Sequence, residues 1–129
     1  MILHIDTTQG QDIEIAIKNN GEIVVSKKFS ALYSQAEKLL PAIDKLLGQN
    51  KLKLKDLTGI EVNNQGGSFT ALRIGVVTAN ALGFALEIPV KAVGEVTRKK
   101  NKQKFDIVKP KYAGEPNITV KKEKKIQNR

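Results

Sequence analysis

Apolar residues recur along this chain with two periods, and each change of period marks a new element. Ile2, Leu3 and Ile5 form a short, mostly apolar run that ends in Asp6-Thr7-Thr8, which predicts a buried strand with Asp6 at its carboxyl end. Ile13, Ile15 and Ile17 then alternate with Glu14, Ala16 and Lys18; Asn19-Asn20-Gly21 follows, and Ile23-Val24-Val25 resumes a β-branched run that reaches Phe29. Asn-Gly between two such runs is a strong hairpin signal, because both residues accept the positive φ of a turn whose twist matches that of the strands. The chain therefore opens with three strands, of which the second and third pair antiparallel.

From Ser30, a candidate N-cap, the period becomes helical: Leu32, Ala36, Leu39, Leu40, Ile43, Leu46 and Leu47 recur before Gly48 stops the run. Pro41 lies inside this helix and is expected to kink it or to break its hydrogen bonding for one turn. Residues 57–62 predict a short strand, and Asn63-Asn64-Gln65-Gly66-Gly67 the turn after it. Ser68 opens a second helix to about Leu86, interrupted only by Thr70, Arg73, Thr78 and Asn80, with Ala71, Gly75, Ala79, Ala81, Gly83 and Ala85 as small residues along it. A helix that is apolar all round needs cover on more than one side. Pro89 ends it; residues 90–93 predict a further strand and residues 105–108 a last one. This order predicts an α/β domain, a mixed sheet with a leading antiparallel hairpin and two main helices on its faces.

Length and composition narrow the chemistry. The 129 residues suit one domain, and 40% hydrophobic residues suffice for its core. The absence of cysteine excludes disulfides, thiolate metal sites and cysteine nucleophiles. No apolar run reaches the roughly 18 residues of a spanning helix, so a cytoplasmic protein without membrane contact is expected. The net charge of +9 changes the picture only by its location. Residues 1–97 carry ten basic and ten acidic residues, whereas residues 98–129 carry twelve basic and three acidic ones. A neutral body thus bears a cationic C-terminal quarter, in which Arg98, Lys99, Lys100, Lys102 and Lys104 form a candidate contact for RNA phosphates or a solvated tail.

Three places are candidates for chemistry. Asp6-Thr7-Thr8 reads either as a metal-bridging carboxylate with phosphate-binding hydroxyls or as a side-chain turn capping the strand. Gly66, Gly67 and Ser68, between a strand and a helix, form a candidate anion-binding turn or simply a tight turn with a serine N-cap. Ser68 as a nucleophile lacks a base, since the single histidine, His4, falls within a strand. Neither paired histidines nor acidic residues at ligand spacing suggest a metal site. What remains is surface: the two helices offer more apolar area than a small sheet covers, which makes them a candidate interface.

Gly66-Gly67-Ser68-Phe69-Thr70-Ala71-Leu72-Arg73-Ile74-Gly75, together with the opening Ile5-Asp6-Thr7 and the helical Leu39-Leu40-Pro41, resembles the TsaB (YeaZ) family. That family typically shows Gly-Pro-Gly-Ser-Phe-Thr-Gly-Leu-Arg-Ile-Gly, an opening Ile-Asp-Thr and Leu-Leu-Pro in its first helix. Three motifs in the same order cover most of residues 1–97, and residues 112–122 resemble the family's C-terminal tail. The resemblance implies an actin-like, ribonuclease-H-like fold for residues 1–97. It also implies a non-catalytic role, without a cofactor, in making N6-threonylcarbamoyladenosine in tRNA, beside a TsaD-like catalytic subunit and a TsaE-like ATPase. Carried over by position, the partner interface comprises Leu39, Leu40, Ile43, Leu47, Phe69, Thr70, Arg73, Ile74 and Val77, a face that can also pair with a second copy of this chain.

The sequence departs from the family at Gln65-Gly66, where the family has Gly-Pro, at Ala71 for Gly, and at Gln35 for a common histidine. The basic linker and tail of residues 98–129 replace a second domain of similar size. One domain alone cannot close over a nucleotide, so autonomous ATPase activity is not expected. The alternative reading is a basic RNA-binding module that acts through its C-terminal tail.

Overall fold

The computed structural model describes residues 1–31, 34–95 and 107–111. Strands β1 (Ile2–Gln9), β2 (Asp12–Asn19) and β3 (Glu22–Ser30) form an antiparallel meander. β4 (Gly59–Val62) pairs parallel with β1, and β5 (Val90–Ala92) parallel with β4, giving the order β3-β2-β1-β4-β5. Helix α1 (Gln35–Gln49) joins β3 to β4, and α2 (Phe69–Leu86) joins β4 to β5. This mixed sheet with two helices is the expected α/β architecture.

The alternation read from the sequence decides which face is covered. Leu3 and Ile5 lie beside Ile17 and Ile15 on β2 and beside Ile60 and Val62 on β4, all fully or almost fully buried. Leu39, Ile43, Leu46 and Leu47 of α1 and Leu72, Val76 and Ala79 of α2 close the same core. Both helices therefore cover one face rather than one each. The intervening positions, His4, Asp6, Glu14, Lys18 and Glu61, place polar groups on the reverse face.

Several boundaries differ from expectation for local reasons. β1 does not stop at Asp6; it runs to Gln9 and turns through Gly10, whose φ of +66° suits a residue without Cβ. At the next turn, Asn20 and Gly21 take the predicted positive φ values. Ser30 is paired with Asp12 at the end of β3, and the α1 N-cap is Ser34. Leu32 lies outside the described residues. Helix α1 passes through Pro41 as one element and includes Gly48, because Asn50 ends it, its amide donating to the Leu46 carbonyl at 2.8 Å. Helix α2 ends at Glu87 with φ +58°, two residues before Pro89. α2 is, by length and composition, long and apolar enough to cross a membrane, which corrects the expectation that no run reaches that length. Six of its residues are nevertheless buried within this domain. Ile107 and Val108 are not in a strand, and Phe105 lies outside the described residues.

Candidate functional site

Helices α1 and α2 lie side by side on the sheet and leave a groove of about 410 Å³ between them, lined by Ala36, Phe69, Thr70, Arg73, Ile74, Val77 and Thr78. Three large apolar side chains stay accessible on this face: Leu40 is 51% exposed, Phe69 46% and Val77 60%. Thr70 and Arg73 are exposed as well, and Ile74 is half-buried. Arg73 is the charged residue of the lining. Leu39, Ile43 and Leu47 take another position, inside the core under this face, where they pack against the sheet. The helical period that identified them all cannot separate the two faces of an amphipathic helix when both carry leucine.

The turn at the start of α2 shows why its glycines are needed. A Cβ on Gly67 would lie 2.8 Å from the Thr8 Cα and 2.9 Å from its carbonyl oxygen, and its φ of +73° is itself a glycine conformation. A Cβ on Gly75 would meet the Thr7 hydroxyl at 2.5 Å. That hydroxyl is buried and donates to the Ala71 carbonyl. Both glycines thus press the start of α2 against the end of β1. Ser68 caps the helix, its Oγ accepting from the Ala71 N–H at 3.1 Å.

Asp6 is committed to the same junction. Its Oδ1 accepts from the Thr8 N–H at 2.8 Å and from the Thr8 hydroxyl at 2.6 Å, and its Oδ2 accepts from Gln9 at 2.9 Å and from Asn63 at 3.4 Å. Burial pushes its carboxyl up; the hydrogen bonds from Gln9, from Thr8 twice and from Asn63 outweigh burial and hold it below its ordinary value. The geometry is that of a side-chain turn at a strand end.

On the reverse face, Glu61 gathers charge from three strands. Its Oε2 lies 2.7 Å from both Lys18 Nζ and His4 Nδ1, and Lys91 reaches Oε1 at 4.0 Å. Burial raises its carboxyl, and Lys18 and His4 more than offset that, leaving it below its ordinary value. His4, Asp6 and Glu14 also bring one donor atom each within 4.8 Å of one another, which corrects the expectation of no cluster at ligand spacing. Pairing of Asp6 with Glu14 across β1 and β2 creates the cluster, a relation invisible to linear spacing. Protein groups already fill it: the Gln9 amide donates to Asp6 at 2.9 Å and to Glu14 at 2.8 Å. His4, bonded to Glu61 on the face away from α2, is no base for Ser68.

The sequence reading missed one set altogether. Residues 107–111 form a strap along α2: Asn80 donates to the Val108 carbonyl and accepts from its N–H, Asn64 donates to the Lys109 carbonyl at 2.7 Å, and the Lys111 N–H donates to the Asn64 carbonyl. Lys111 also bridges to Gln65, and Val108 is buried in the core. A polar Asn80 in an otherwise apolar helix was the available signal. Arg98, Lys99, Lys100, Lys102 and Lys104 lie outside the described residues.

Comparison with known proteins bears on this arrangement. The family model described as TsaD, tRNA N6-adenosine threonylcarbamoyltransferase, matches residues 30–112. The chain is 31% identical over 106 residues to the tRNA threonylcarbamoyladenosine biosynthesis protein TsaB of Bacillus subtilis, covering 81% of this chain and 46% of that one. Among solved structures, YeaZ from Pseudomonas aeruginosa superposes with a TM-score of 0.64 at 28% identity, over 70% of this chain and 42% of its own. Another, described as a protein with similarity to peptidase YeaZ from Pseudomonas aeruginosa, gives 0.65 at 28% identity, over 70% and 41%. The chain thus spans less than half the length of these relatives.

Proposed function

This chain belongs to the TsaB (YeaZ) family, and on that premise we propose that it is a shortened, non-catalytic subunit that docks its α1–α2 face on a TsaD-like enzyme and supports N6-threonylcarbamoyladenosine synthesis in tRNA. The observation that carries the reading is the groove between the helices, where Leu40 and Val77 stay more than half exposed around Arg73. Exposed apolar area of this kind marks an interaction surface.

Two observations support the non-catalytic part. Ser68 spends its oxygen on capping α2, and the single histidine is bonded to Glu61 on the other side of the sheet, so no nucleophile and base meet among the described residues. Asp6 has both carboxylate oxygens engaged by protein donors. A TsaE-like ATPase joins the assembly in this reading, and the basic C-terminal quarter adds salt-sensitive affinity for tRNA.

Light scattering of the chain alone and mixed with the TsaD-like protein of the same organism tests the proposal. A stoichiometric heterocomplex is expected, lost in Arg73→Glu and Val77→Asp while circular dichroism stays that of the parent. A mixture that scatters as the two separate proteins overturns it.

A further inference from the structure

The strap ends at the rim of the docking groove. Lys111 pairs with Gln65, three residues before the α2 cap Ser68, and the groove begins at Phe69. Asn80, which holds the strap, lies three residues beyond Val77, so the strap flanks the exposed stripe of α2 on one side as α1 does, through Ala36, on the other. Eighteen residues follow Lys111, and the first nine read Tyr-Ala-Gly-Glu-Pro-Asn-Ile-Thr-Val. Their pattern suits this groove. Tyr112, Ile118 and Val120 are apolar, and Glu115 is the single charge among them, as Arg73 is the single charge in the lining.

The distances permit the match. Four residues span at most about 14 Å when extended, and Arg73 lies one helical turn, about 6 Å, beyond Phe69. Seven residues bring Ile118 within reach of Val77. We propose that residues 112–120 cover the α1–α2 groove of the free chain, with Glu115 on Arg73 and with Tyr112, Ile118 and Val120 over Phe69, Ile74 and Val77. The tail is then an intramolecular competitor for the face assigned to the partner, on which reading the proposal builds. A tethered segment acts at an effective concentration of the order of millimolar, so an intrinsic Kd of about 0.1 mM keeps the groove about tenfold more closed than open. A partner must displace it, which makes docking tunable by whatever binds the tail.

The absence of cysteine permits a test without the partner, so that its failure is distinct from failure of the heterodimer. Val77→Cys, introduced into the full chain, is alkylated with uncharged iodoacetamide, and the rate is compared with that of the same chain also carrying Glu115→Lys, Ile118→Ser and Val120→Ser. An approximately tenfold faster reaction in the latter is expected, with Asp44→Cys on the exposed side of α1 reacting equally in both backgrounds. Charge exchange, Arg73→Glu with Glu115→Arg, should restore the slow rate that either single change relieves. Equal rates at Val77→Cys overturn the proposal, as does protection that rises with protein concentration, which assigns the cover to a second copy of the chain.

Discussion

The side-chain amide of Asn80 holds the backbone of Val108 in both directions, donating to its carbonyl at 2.8 Å and accepting from its N–H at 2.9 Å. A strand neighbour would make the same pair of bonds, and here one helical side chain replaces it. Asn80→Ala leaves both backbone groups without these partners beside a buried Val108, and should cost about 1–3 kcal/mol in denaturant unfolding. Removal of everything after Thr97 should cost more, because the pocket of Val108 opens as well. Loss of RNA affinity on that truncation would therefore report unfolding as much as lost charge. Conversion of Arg98, Lys99, Lys100, Lys102 and Lys104 to glutamine tests the basic run and leaves the strap in place; a reduced slope of log affinity against log salt is expected.

Gly67 and Gly75 set the distance between α2 and β1. Gly67→Ala combines backbone contact with Thr8 and a positive φ, and should destabilise by about 1–3 kcal/mol or more. Gly75→Ala drives a methyl into the Thr7 hydroxyl and should also destabilise, with partial rescue by Thr7→Ala, which removes the obstructing atom. Thermal unfolding of the two single variants and the double variant measures the coupling.

Leu39 and Leu40 are neighbours with opposite roles. Leu39→Ala should cost about 2–5 kcal/mol of stability, as cavities in cores do. Leu40→Ser should leave stability nearly unchanged and weaken association with the TsaD-like partner. Chemical denaturation and light scattering on the same two variants separate core from interface.

Acid should loosen the sheet through Asp6 and Glu61. Both carboxyls are held below their ordinary values, 3.8 and 4.5, so their contributions are complete above those values and are lost as pH falls through the lowered ones. The melting temperature should be steady down to about pH 5 and fall below about pH 4. Glu61→Gln should destabilise at neutral pH, by about 1–3 kcal/mol, and flatten part of the acid limb.

The sequence exposed those features whose cause is local. Alternation at Ile13, Ile15 and Ile17 and the Asn20-Gly21 turn located the meander, and the serine after two glycines located the start of α2. It did not expose those that arise from pairing. Asp6 meets Glu14, and His4 meets Glu61, only because strands place them in register, and Asn80 meets Val108 across 28 residues. The candidate interface was half legible for a related reason: helical spacing found the residues on α1 and α2, but only packing shows that Leu39, Ile43 and Leu47 face inward while Leu40 and Val77 face out.

Two fixed posts bracket the segment between β5 and the strap. Glu95 accepts from the Ala92 N–H at 2.9 Å and donates its own N–H to the Ala92 carbonyl, and Val108 is gripped by Asn80. Whatever connects them enters and leaves the body at positions set by the body itself. Each doubling of such a connection costs only about 0.6 kcal/mol in closure entropy. Its length is therefore free to vary by large factors, from a few residues to an entire inserted domain, while the sheet, the helices and the docking face keep their shape.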